Sequence, residues 1–325
     1  MSHPKPISEL RATLIRWIDS EAPAVLEADG RQVDWLRTLP FIALHAAAAG
    51  VIWVGVSPMA VTVAIVLYLV RMFAITGFYH RYFSHKSFRT SRLVQFLFAT
   101  IAASSVQRGP LWWASQHRHH HAHADEPEDV HSPLRHGFLW SHMGWFLCRR
   151  NFRTRLEMVK EWAQFPELRF LDRWDALVPT VLAVSLFAIG ELLEGFHPQF
   201  HTNGPQLLVW GFVISTLALY HVTFCVNSLA HVWGSRRYPT RDGSRNNALL
   251  ALLTLGEGWH NNHHHYPVAA RQGFYWWEFD PTYYALQVMA WLGIVWDLHP
   301  VPPSQRESHR NRGGNEARAN SGVRP

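Results

Sequence analysis

Long apolar runs alternate along this chain with polar segments crowded with arginine and histidine. From Thr38 to Val70, 33 consecutive positions carry no Asp, Glu, Lys or Arg. A helix crosses a bilayer with about 20 apolar residues, so this run is too long for one span, and Ser57-Pro58 is its natural break. The pattern predicts a span at about 39–56 and another at about 59–79. Arg71 falls inside the second, where it snorkels to the interface or faces a protein partner. Residues 176–193 and 205–226 are the next runs of span length. Leu93–Gln107 and Tyr283–Trp296 are apolar but shorter, and belong in the interface or in a folded core.

Charge placement gives the topology. The connections at 57–58 and 194–204 hold no Lys or Arg, and every basic residue except Arg71 lies in 1–37, 81–173 or 236–324. The positive-inside bias puts those three segments, and both termini, in the cytoplasm. The net charge of +6 is therefore a topology signal and not a nucleic-acid footprint. The expected organisation is a cytoplasmic lead-in at 1–37 without a cleavable signal peptide, one domain at 38–301, and a disordered polar tail at 302–325. Within the domain, residues 80–175 and 227–301 form a helical cytoplasmic cap. The fold class is all-α: an integral membrane protein of four transmembrane helices and that cap.

Composition adds one outlier, 22 His against 24 Asp plus Glu. With 48% hydrophobic residues the chain is not disordered. Two cysteines, Cys148 and Cys225, exclude a disulfide scaffold and a thiolate zinc site. The histidines gather in three places: His80 with His85, His117 with His120 and His121, and His260 with His263 and His264. His231 follows the fourth span. Positions i, i+3 and i+4 share a helix face, so each of the last two triplets converges. His119 lies about 200° from His117, and His265 about 140° from His260, so both point elsewhere. His80 and His85 also diverge by about 140° on a straight α-helix, and need a bend, a helix end or a metal between their arms.

Nine imidazoles are too many for one metal ion and suit two. Neutral imidazole favours Zn, Cu, Fe and Ni. Four or five His per ion on a membrane scaffold point to redox chemistry on an apolar substrate, since zinc hydrolases keep three protein ligands and a water. His45 and His221 stand within membrane spans and offer a rival reading, a non-catalytic haem or metal carrier.

The motifs HRYFSH at 80–85, HRHHH at 117–121, NSLAH at 227–231 and GEGWHNNHHHYP at 256–267 resemble those of the membrane-bound fatty acyl-CoA desaturases, most closely the stearoyl-CoA (Δ9) type. The resemblance covers roughly residues 40–300. It implies a di-iron centre held by His80, His85, His117, His120, His121, His231, His260, His263 and His264, with Asn227 acting through a water. His119 and His265 stand where the family pattern has other residues. The implied reaction uses O2 and two external electrons to place a cis double bond, at Δ9, in a long-chain acyl-CoA. Partners so implied are the acyl-CoA or another acyl carrier, O2, the bilayer, and a ferredoxin, rubredoxin or cytochrome b5 type donor with its reductase. The chain shows no Gly-rich dinucleotide fingerprint and no His-Pro-Gly-Gly signature of a fused cytochrome. A di-iron hydroxylase of the same superfamily is the enzymatic alternative.

Residues bordering the clusters are further candidates. Gln107, Trp112, Trp113 and Trp259 are expected to line an acyl tunnel, Asp125 and His142 to orient ligands, and Arg149, Arg150, Arg153 and Arg155 to meet CoA phosphates or lipid headgroups.

Overall fold

The computed structural model describes residues 15, 17–21 and 32–308. Among these, four helices are long and apolar enough to cross a membrane: α1 (Arg37–Val54), α2 (Pro58–Ser84), α6 (Leu177–Phe196) and α7 (Gly204–Ser228). Between α2 and α6 lie α3 (Arg92–Ala103), α4 (Pro110–His123) and α5 (Pro166–Arg173). After α7 come α8 (Ala248–Leu253), α9 (His260–His265), α10 (Pro281–Trp291) and α11 (Pro303–Arg306). The two-residue strands β1 (Arg89–Thr90) and β2 (Val295–Trp296) pair antiparallel, Arg89 opposite Trp296, and tie the two halves of the cap together.

The break at Ser57-Pro58 has a local cause. Ser57 caps α2 by accepting the Ala60 N–H at 3.1 Å, and Pro58 takes the first helical position, where no amide hydrogen is needed. The second span runs past the expected residue 79 to Ser84. Its last eleven residues, Ala74–Ser84, are π-helical and buried. α7 is the hub of the membrane part, and α1, α2 and α6 each pack on it. The α6–α7 hairpin closes tightly: a Cβ on Gly190 would lie 2.4 Å from Asn203 O. Arg71 does not snorkel. It is buried, donating to Thr216 Oγ1 at 2.7 Å, to Ser215 Oγ and to Ser104 O, so the charge ties α2 to α7 and the end of α3.

The main apolar core sits where the end of α2 meets α3, α4 and α5. Phe78, Tyr82, Phe83 and Ala74 from α2 pack with Phe98, Leu111 and Leu168, and the Phe78 and Phe98 rings stack at 3.7 Å. The short apolar stretches divide their faces: α3 buries Phe98, Ala99 and Ala102 and exposes Leu93, Leu97 and Ile101, the pattern of a helix lying in an interface. The disorder expected over 302–325 does not reach 302–308. There α11 is pinned because Tyr238 and Tyr275 donate to Arg306 O at 2.7 and 3.2 Å, and the His265 ring bonds Gln305 O at 3.1 Å. The rest of the expected tail, and most of the lead-in, lie outside the described residues.

The helix that carries three of the clustered histidines is anchored by a carboxylate from another element. Asp172 on α5 accepts the Trp112 N–H at 2.7 Å in the first turn of α4 and the Thr154 hydroxyl at 2.7 Å. Gly109 makes room for it, since a Cβ there would lie 2.3 Å from Asp172 Cα. Burial pushes the Asp172 carboxyl up to about 6, against the two hydrogen bonds that pull it down. A carboxyl raised in the folded state contributes stability below its unfolded value of 3.8, and that contribution is lost as pH rises through about 6. Asp172→Asn is therefore expected to flatten the fall in stability between about pH 4 and 7, measured by thermal unfolding in detergent at stepped pH.

Candidate metal centre

Four elements deliver nine imidazoles to one region. The end of α2 brings His80 and His85, α4 brings His117, His120 and His121, α9 brings His260, His263 and His264, and the turn after α7 brings His231. Their ligating atoms form two groups, each with all atoms within 4.8 Å of one another. One group is His80, His85, His117, His121 and His263; the other is His120, His231, His260 and His264. The π-helical end of α2 resolves the divergence of His80 and His85. In i→i+5 winding the fifth residue returns to the same face: His85 N–H donates to His80 O at 3.2 Å, and the two rings stand 4.9 Å apart.

Carboxylates fix the tautomers. Nδ1 of His120 lies 3.0 Å from Asp129, Nδ1 of His231 2.9 Å from Asp125, Nδ1 of His264 2.9 Å from Asp242, and Nδ1 of His80 2.5 Å from Glu257. A carboxylate only accepts, so each Nδ1 carries the proton and each Nε2 presents a lone pair inward. Burial opposes ionisation of these acids, yet His120 and His131 hold Asp129 well below the usual carboxylate range, and His231 holds Asp125 at about 2. His85, His117, His121, His260 and His263 are pushed well below 6.5 by burial and by one another, so they stay neutral.

The arrangement fits metal ions. Nε2 atoms face each other directly: His80 and His263 at 3.0 Å, His85 and His117 at 2.8 Å, His121 and His263 at 2.9 Å, His231 and His260 at 3.1 Å. Metal–nitrogen bonds of about 2.1 Å give an octahedron edge of about 3.0 Å and a tetrahedron edge of about 3.4 Å, so the spacing matches neighbouring vertices of an octahedron. His264 Nε2 is buried and, among the described residues, has no hydrogen-bond partner, which leaves a metal to complete it.

The short helix α9 is held by amides and glycines. Asn246 Oδ1 accepts the Asn261 and Asn262 N–H groups at 2.9 and 3.1 Å, satisfying the helix start. Gly256 and Gly258 bracket Glu257 because side chains there would collide, the first with Asp280 Oδ1 at 2.4 Å and the second with Ala251 N at 2.0 Å.

The centre opens on a cavity of about 520 Å³ whose wall includes His80, His117, His120 and His260. Gln107, Trp112 and Trp113 line it, and Trp113 stacks on His117 at 5.2 Å. Asn227 also stands in this wall, outside the two groups of converging nitrogens. Trp259 is not in the wall. It precedes α9 and donates to Phe279 O at 2.8 Å. His119 turns outward to Glu128 O, and His265 stacks on Tyr238. Arg149, Arg150 and Arg153 are exposed and Arg155 half-buried around Phe152, itself a cavity residue.

His142 touches no clustered histidine. It belongs to a hydrogen-bonded row: His45 donates Nδ1–H to Phe41 O at 2.8 Å, its Nε2 lies 3.2 Å from His221 Nε2, His221 Nδ1 lies 3.1 Å from His142 Nε2, and His142 Nδ1 lies 3.0 Å from Ser228 Oγ, whose hydroxyl donates to Phe224 O. A haem needs its macrocycle between two axial nitrogens, and the direct His45–His221 bond leaves no space for one. Asp129, Asp242 and Glu257 were missed by sequence reasoning. Glu257 alone had a local signal, three residues before His260 in the Gly-Glu-Gly run, while the other two come from loops with no fixed spacing to their partners.

Residues 56–296 match the family model described as Fatty acid desaturase. The chain belongs to the fatty acid desaturase family. This places it among oxidoreductases of lipid metabolism, in keeping with its four apolar helices. It is 37% identical over 252 residues to the palmitoyl-monogalactosyldiacylglycerol delta-7 desaturase of Arabidopsis thaliana, covering 76% of this chain and 64% of that protein. It is 34% identical over 267 residues to the sn-1 stearoyl-lipid 9-desaturase of Anabaena variabilis, covering 81% and 93%. It is 33% identical over 230 residues to the acyl-CoA C20 Delta5-desaturase of Anemone leveillei, covering 70% and 69%. The chain thus spans just under two thirds of the plant delta-7 protein and more of the other two.

Removing the carboxylate behind a ligand usually costs about 10- to 100-fold in metal affinity. Asp129→Ala is expected to show that loss in an equilibrium metal titration of the purified protein. His119→Ala, which faces away from both groups, is expected to titrate like the parent.

Proposed function

We propose that this protein is an O2-dependent desaturase that introduces a cis double bond, at Δ9, into a long-chain saturated acyl chain. The observation that carries the reading is the pair of all-imidazole groups opening on an apolar cavity. One ion would be held by His80, His85, His117, His121 and His263. The other would be held by His120, His231, His260 and His264, with Asn227 acting through a water. Neutral nitrogen donors at octahedral spacing support iron over zinc. Bound iron would supply the O2 chemistry that an unactivated C–H bond requires. Two hydrogens leave neighbouring methylenes, two electrons and two protons come from outside, and O2 becomes two waters.

The chain's own residues do the positioning. Asp125, Asp129, Asp242 and Glu257 orient the rings from behind. Trp112, Trp113 and Gln107 shape a water-poor slot in which one carbon pair is held against the centre. The Δ9 position is supported by relatives named 9-desaturases. The named relatives include both acyl-CoA and lipid desaturases, so either carrier is compatible with the family. The electrons come from a ferredoxin, rubredoxin or cytochrome b5 type donor and its reductase. The three basic segments support a cytoplasmic centre and cytoplasmic termini.

Expression in a host lacking the activity, followed by fatty acid mass spectrometry, tests the reading. A new alkene at Δ9 is expected, and a hydroxylated chain without an alkene would overturn the desaturase assignment. His120→Ala or His264→Ala is expected to insert in the membrane but lose iron and product. Full activity in either variant would refute the ligand assignment.

A further inference from the structure

The cavity reaches sideways to the bilayer as well as inward to the metal centre. Its wall includes Phe41 and Leu44 on α1 and Thr180, Ala183 and Val184 on α6. Thr180 and Val184 are at the same time exposed on the outside of the molecule, Val184 by 62%. A residue that both lines a cavity and faces outward from a membrane helix marks an opening. Among the described residues α1 and α6 each pack on α7 and make no substantial contact with one another, so a slot is left between them. Leu44 and Val184 are each seven residues from the start of their helices, about 10 Å along the axis. That depth belongs to the upper acyl region of a bilayer.

The slot has a polar rim where the same helices begin. Arg37, Arg108 and Asp175 line this part of the cavity. Arg108 pairs with Asp175 at 2.6 Å, and both guanidiniums lie against the Phe152 ring, at 4.8 Å for Arg37 and 5.3 Å for Arg108. On the aqueous side Trp17 and Ser20 complete the wall. Their segment is tied down by Arg173 to Asp19 at 2.7 Å, by Ser20 N–H to Arg173 O at 2.9 Å and by the Ser20 hydroxyl to Asp172 O at 2.8 Å. Among the described residues Trp17 and Ser20 thus stand at the aqueous end of the cavity, and Thr180 and Val184 at its outward, lipid-facing side.

We infer that the substrate enters between α1 and α6 as the acyl chain of a membrane glycerolipid, its ester and headgroup staying at Arg37, Arg108 and Asp175. The chain passes from one apolar medium to another and never crosses water, so entry carries no cost of exposing it. The inference rests on the desaturase reading for the fate of that chain, but not for its route.

The route is tested with the full-length protein in nanodiscs. The probe is phosphatidylglycerol with a diazirine in its stearoyl chain, compared with a matching photoactive stearoyl-CoA added from water. The lipid probe is expected to label the metal-side wall around Met72–His80. Ala183→Trp and Leu44→Trp, which plug the slot from opposite sides, are expected to cut that labelling about tenfold or more, and Ala183→Leu by less. Ile189→Trp, on the same helix but outside the cavity wall, is expected to label like the parent, and all four variants to keep the parent's metal content. Parent-like labelling in both plugged variants, or labelling by stearoyl-CoA alone, would overturn the inference. Labelling that follows the slot without any alkene product would instead overturn the desaturase reading and leave the route standing. Alkene formation in unplugged and plugged protein alike would do the reverse.

Discussion

Nine imidazoles are packed together away from water, and the rest of this structure is arranged around the lone pairs they leave. Burial holds five of them well below their ordinary pKa, so they do not escape their crowding by taking up protons. Four carboxylates lock Nδ1–H outward and force Nε2 inward. A buried polar atom without a partner costs about 1–3 kcal/mol, and a cluster of facing acceptors is tolerable only if a cation satisfies them together. The polar network of the cap, including buried Arg81 between Glu257 and Asp280, holds the carboxylates in register for that purpose.

The backbone bends to the same constraint. A regular α-helix would splay His80 and His85 apart, and the eleven-residue π segment keeps them together at the price of a wider, less common winding. It is buried against Phe98 of α3, Leu111 and Ala114 of α4, Leu168 of α5 and Leu286 of α10, which hold the wide turn in place. α4 is welded by Asp172 and Gly109, and the six-residue α9 is capped by Asn246. Short helices and unusual turns of this kind need tertiary support, and here that support comes from groups far away in sequence.

What was legible in the sequence follows from which signals are local. Apolar runs and the Ser57-Pro58 break are local, so the four spans stand close to their expected limits. Helical spacing is local too, which is why the shared inward face of His117, His120 and His121, and the outward turn of His119, could be read directly, while the division of that triplet, His117 and His121 in one group and His120 in the other, could not. The extension of α2 to Ser84 was hidden because His80, Arg81 and Ser84 look like a polar boundary, while in the fold they are buried by the cap. Asp129 and Asp242 were invisible because loop geometry, and no repeat or spacing, brings them to His120 and His264. His142 was misplaced for the same reason: sequence puts it near the clusters, but its ring reaches the row of His221 and His45. Trp259 sits beside His260 in the chain, yet its indole points to Phe279 O and not to the cavity.

These imidazoles are expected to form two separate iron sites of unlike ligand number. Mössbauer spectroscopy of protein produced on isotopically enriched iron, with metal and protein quantified in the same sample, addresses this most directly. Two irons per chain in two distinct environments of equal area are expected, without haem absorption. A single iron per chain, or a haem signal in place of two non-haem sites, would contradict that assignment.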